Sequence, residues 1–146
     1  MTGPAREIPL TQREIGRHGA PAWAAEVVAL CCGRHDPAQW PSVDFVPALL
    51  ADTYGGRYFP RLSAILVYET DDPALNRGTL VHELAHWRSY MERCGQPAGR
   101  SRCGYHGDHD GYFYRILAPL YRRAGIAPAV RREVEGSYSF PDHLLR

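Results

Sequence analysis

Thr79-Leu80-Val81-His82-Glu83-Leu84-Ala85-His86-Trp87 reads as the middle of a long helix buried along one side. Leu80, Leu84, Trp87 and Met91 recur at spacings of four, three and four, which keeps them on a single stripe of a 3.6-residue helix. Asp72-Pro73 supplies the start signal, and Gly95 with Pro97 supplies the stop, so the helix is predicted to run to about Arg93. His82 and His86 fall on a different side from the apolar stripe. Being four apart, they stand one turn above each other and can reach a common ion. Glu83, beside the first histidine, is placed to hold a water on that ion and accept its proton.

Outward from this helix, the stretch 57–70 reads as extended structure centred on Ala64-Ile65-Leu66-Val67-Tyr68. That core is almost wholly apolar and β-branched or aromatic, so both of its faces are expected to be covered. Upstream, Pro21 suits the first position of a helix with Trp23, Val27, Leu30 and Cys31 on one face and Gly33 as its end. Asp44 looks like the N-cap of a further short helix, with Pro47 in its first turn and Gly55-Gly56 closing it. Downstream, Phe113, Ile116, Leu117, Leu120, Tyr121 and Ala124 share a face over 110–124, where Pro119 predicts a kink or a split near Ala118. Residues 128–135 form a last short helix by the same reading, and 96–106 a Gly/Arg-rich loop.

With 146 residues the chain fits one domain. Residues 1–20 are expected to be a loosely ordered lead-in, and residues 21–146 the domain. A formal charge of +1 gives no ground for nucleic-acid or anionic-membrane binding. Arg122-Arg123 and Arg131-Arg132 have acidic neighbours and read as a solvated face. No apolar run approaches the roughly 20 residues of a membrane span. The stretch 20–32, which comes nearest to a signal peptide, is interrupted by Glu26. The expected compartment is therefore the cytoplasm, with Cys31, Cys32, Cys94 and Cys103 as ordinary thiols. All seventeen basic residues are Arg, which points to a GC-rich, bacterial gene.

A catalytic zinc site takes three protein ligands and keeps one position open. His82 and His86 supply two. The cluster Tyr105-His106-Gly107-Asp108-His109-Asp110 offers His109 and His106 for the third, and Glu133 or Glu135 are more distant carboxylate choices. Twenty-two residues lie between His86 and His109, enough to leave one helix and return at the start of the next.

These residues resemble the compact HExxH zincin metallopeptidases, the group that includes SprT-like and WLM-type proteins. In that group a downstream His-x-x-x-Phe opens the next helix, with the histidine as third ligand. His109-Asp110-Gly111-Tyr112-Phe113 matches this spacing, whereas His106 has Asp110 four later, so His109 is favoured and His106 is the alternative. The likeness spans about Ile65 to Leu120. It implies an α+β fold, a single small zincin-like domain with a short sheet packed on the HExxH helix and a strand near Ser63–Tyr68 bordering the cleft. It also implies one catalytic Zn2+ and a hydrolase acting on a protein or peptide substrate, with Glu83 as the base. Tyr105, His106, Tyr112 and Tyr138 are the donors available to an oxyanion. The other expectations are a zincin-like binding or sensor module with little turnover, and a metal-dependent hydrolase of a non-peptide amide.

Overall fold

Ala64–Glu69 is the middle strand of the sheet, and its position explains its composition. The computed structural model describes residues 16–48, 55–94, 107 and 109–136. Among these, three strands, β1 (Ser42–Pro47), β2 (Gly56–Phe59) and β3 (Ala64–Glu69), lie in the order β1-β3-β2. β1 runs parallel to β3 and β2 antiparallel to it. Ala64 to Tyr68 are all buried, as a strand covered on both faces requires. Ile65 and Val67 point with Phe45 into the main core, while Leu66 and Tyr68 join Val46 and Phe59 in a smaller cluster on the opposite face.

Four α-helices lie among the described residues: α1 (Ala22–Cys32), α2 (Pro73–Cys94), α3 (Gly111–Arg123) and α4 (Pro128–Glu135). The architecture is thus α+β, with a three-stranded mixed sheet. α2 is the axis. Asp72 caps it by accepting the backbone N–H groups of Ala74 and Leu75. Buried Asn76 then ties it to the sheet, accepting from Thr70 N–H at 2.9 Å and donating to Thr70 C=O at 3.0 Å. The predicted stripe of Leu80, Leu84, Trp87 and Met91 is buried against residues of α1, α3 and the sheet. No described helix is long and apolar enough to cross a membrane.

Four expectations need correction. The segment after Asp44 is not a helix: Ser42–Pro47 is β1, with Val43 and Phe45 turned to the helices and Asp44 buried on the other face. Asp44 accepts N–H groups from Gly16 and, at 2.7 Å, from Gly19, so its carboxylate serves the segment along β1 rather than a helix start. Leu30 is exposed, and Ala24, Val27, Val28, Cys31 and Cys32 make the buried face of α1. α3 continues through Pro119 without a split. The carbonyl that Pro119 leaves without an N–H belongs to exposed Arg115, where water can satisfy it. Finally, Cys94 is disulfide-bonded, with its partner outside the described residues, while Cys31 and Cys32 are free and buried. The expected lead-in over 1–15, the helix stop at Gly95 and Pro97, the 96–106 loop and Cys103 lie outside the described residues.

Candidate metal centre

Four residues separate His82 from His86, and α2 turns this spacing into two rings facing one cleft, their centroids 5.0 Å apart. His109 arrives from the turn before α3. Asp110, the N-cap of α3, accepts Phe113 N–H at 2.9 Å and is held from α2 by Arg93 at 3.0 Å. The third ring is thereby brought over the other two. His109 Nε2 lies 3.1 Å from His82 Nε2 and 3.1 Å from His86 Nε2. Phe113, fully buried, forms the floor: its ring stacks on His86 at 4.3 Å and meets His82 and His109 edge-on at 5.2 and 5.0 Å.

The protonation pattern follows from the neighbours. His82 Nδ1–H donates to Glu135 Oε2 at 2.5 Å, which in the neutral ring leaves Nε2 as a lone pair facing the cluster. A neutral His109 has one ring proton and cannot bridge to both other rings at once. Three imidazole nitrogens held this close, with one lone pair directed inward in the neutral ring, are spaced as ligands of a shared cation would be. Tetrahedral ligands at zinc–nitrogen distances of about 2.0–2.1 Å stand roughly 3.3 Å apart, near the separations seen here. The three histidines can hold a metal ion.

Burial governs the electrostatics. It pushes the Glu83 carboxyl up to about 7, a rise opposed by His82 and Arg57 and reinforced by Glu135. Burial also drives His86 well below the ordinary imidazole value, with the like charges of His82 and His109 adding to the effect. For His82 burial works in the same direction, but the hydrogen bond and charge of Glu135, with the charge of Glu83, outweigh it and raise the group.

The cleft over these rings has a volume of about 210 Å³ and is lined by Gly56, Arg57 and Tyr58 of β2, by His82, Glu83 and His86, and by Gly107 and His109. The bordering strand is therefore β2, not the stretch near Ser63–Tyr68. Among the described strands β3 carries a neighbour on each side, whereas β2, like β1, is an edge. Gly56 allows this approach: a Cβ there would lie 2.9 Å from Leu66 O and 3.0 Å from Glu83 Cγ.

The predicted residues divide clearly. His82, Glu83, His86 and His109 come together in the cleft. Tyr112 does not, because its hydroxyl donates to Glu92 at 3.0 Å and its ring carries the Arg93 guanidinium on an exposed face. Tyr105, His106 and Tyr138 lie outside the described residues. Glu135 reaches the centre as a partner of His82 Nδ1 rather than through the cluster of ring nitrogens, and Tyr121 donates to the same oxygen at 2.5 Å. Sequence reading missed both roles, since Tyr121 was legible only as a core residue. The available signal was the Ile126, Val130 and Val134 spacing, which sets Glu135 beside an apolar stripe. Comparison with known protein families, curated proteins and solved structures returns no match.

Proposed function

We propose that this chain is a zinc-dependent metallopeptidase of the compact zincin type, with His82, His86 and His109 as ligands and Glu83 as general base. The observation that carries this reading is the convergence of three imidazole nitrogens, at 3.1 Å, in an open cleft that also holds a buried glutamate. A purely structural site would have no use for a base beside its ligands. A bound zinc ion supplies Lewis acidity, lowering the pKa of a water and polarising a carbonyl.

The chain's own residues supply the rest. Glu83, pushed up to about 7, is matched to taking a proton from the attacking water near neutral pH and returning it to the leaving amine. Edge strand β2 suits an extended peptide. Gly55 C=O accepts from Tyr68 N–H at 2.8 Å, which makes these two residues a hydrogen-bonded pair of the antiparallel ladder. By alternation, the backbone groups of Gly56 and Tyr58 turn away from β3, where a substrate strand would lie.

The test is metal content after dialysis combined with hydrolysis of an unfolded protein substrate. Wild type is expected to hold one zinc per chain and lose it in His82→Ala and His109→Ala. Glu83→Gln should keep the zinc while turnover falls by about 10²–10⁴-fold. Zinc retained with negligible turnover in wild type, and Glu83→Gln indistinguishable from it, would leave a binding module. A well-folded wild type that takes up no added zinc would falsify the enzyme reading altogether.

A further inference from the structure

Glu135 is 1% exposed, the most deeply buried carboxylate in the described residues, and it forms an ion pair with His82. A buried carboxylate is costly unless its oxygens are engaged. Its Oε2 takes two short hydrogen bonds, from His82 Nδ1–H and Tyr121 O–H, both at 2.5 Å, while Oε1 finds no partner among the described residues. Packing alone gives no reason for a charge at this position. Val130 and Val134 already seat α4 on α2 at Gly78, where a Cβ would lie 3.0 and 3.1 Å from their methyl groups. Gly78 is one turn before His82, so this close approach brings Glu135 to the ring.

We infer that Glu135, pinned by Tyr121, is the positioning residue of the metal centre: it fixes His82 with the proton on Nδ1 and the lone pair on Nε2, so that docking of α4 and metal occupancy form one linked equilibrium. The inference rests on the zinc reading above and adds a regulatory consequence. Whatever holds α4 on α2 favours the loaded centre, and loading the centre holds α4 in place. Outer partners of ligating histidines act in this way by orienting the ring and raising its basicity.

The test uses the full chain, with Glu135→Gln, which keeps shape and one acceptor, and Glu135→Leu, which keeps neither acceptor nor charge. Zinc affinity is read by competition with a chromogenic chelator. The His82 tautomer is read from ¹⁵N shifts of the zinc-free chain, and α4 protection from hydrogen exchange with and without zinc. Expected are a loss of about 100-fold for Leu and about 10-fold for Gln, the range typical of such outer partners. The Nδ1–H tautomer should persist in Gln and become mixed in Leu, and zinc should protect α4 in wild type but not in Leu. A folded Leu variant binding zinc as tightly as wild type overturns the inference while leaving the zinc site intact. If Leu does not fold, Gln decides alone, and wild-type affinity there overturns it. A wild type that binds no zinc overturns this inference and the proposed function together.

Discussion

α2 is buried on two sides for opposite reasons. On one, Leu80, Leu84, Trp87 and Met91 lose contact with water and gain it with other apolar groups, worth about 25 cal/mol per Å² removed. On the other, His82, Glu83 and His86 are 3, 6 and 7% exposed, and each must find a partner for a polar atom. His82 leans on Glu135, the three histidines crowd one another, and Glu83 is pushed towards neutrality. The first side drives folding. The second is tolerated by the fold and brings together three histidines that can hold a metal ion.

This contrast is open to a direct break. Trp87, fully buried, should cost about 3–5 kcal/mol as Trp87→Ala in urea unfolding, while the folded fraction still takes up zinc. His86→Ala should do the reverse. It abolishes stoichiometric zinc binding but leaves the chelator-treated chain within about 1 kcal/mol of wild type, or above it, since it removes a buried imidazole from a crowded cluster. If the two variants lose stability equally without metal, the two sides of α2 are not distinct in the way described.

A metal-dependent difference comes next in size. Zinc at 100 times its dissociation constant should raise wild-type stability by about 2.7 kcal/mol and His86→Ala by far less. In chelator, pH sharpens the same contrast through Glu83. Its folded pKa, about 7, lies above the ordinary 4.5, so the folded chain binds more protons than the unfolded one between these values. Its contribution is fully present below 4.5 and is lost as pH rises to about 7. The stability of wild type should therefore fall more steeply with rising pH across this window than that of Glu83→Gln, where the group is absent. Equal slopes would mean that Glu83 is not held in a desolvated site.

How far these features could be read from sequence depends on the separation of the partners. α2 was legible because its cap, stripe and histidine pair lie within one helix. His109 was legible because Asp110 and Phe113, which place it, follow within four residues. Asp44 was misread because its donors, Gly16 and Gly19, lie 28 and 25 residues upstream, and an Asp before apolar residues looks the same at a strand as at a helix start. Glu135 reaches His82 across 53 residues, and nothing local marks it as a partner rather than a ligand. The cleft strand was misassigned for a related reason. Composition identified β3 as covered on both faces, which is why it could not be the edge, but strand order is set by pairing at a distance.

The smallest effect concerns how His109 is held. Asp110 has two tasks, capping α3 through Phe113 N–H and pairing with Arg93 of α2. The Phe113 N–H is the larger cause of its lowered pKa, ahead of the hydrogen bond from Arg93. Because the folded value is depressed, this contribution is present above the ordinary 3.8 and is lost as pH falls through the folded value. Asp110→Ala removes both tasks and should cost about 1 kcal/mol, the usual worth of an N-cap. Asp110→Asn keeps the cap and weakens only an exposed ion pair, so its cost should stay within a few tenths of a kcal/mol. If zinc affinity follows this order, with Ala weaker than Asn and Asn close to wild type, the cap orients the third ligand. Equal losses of zinc affinity in both variants would give that task to Arg93, making the span between α2 and α3, rather than the helix start, what sets the geometry of His109.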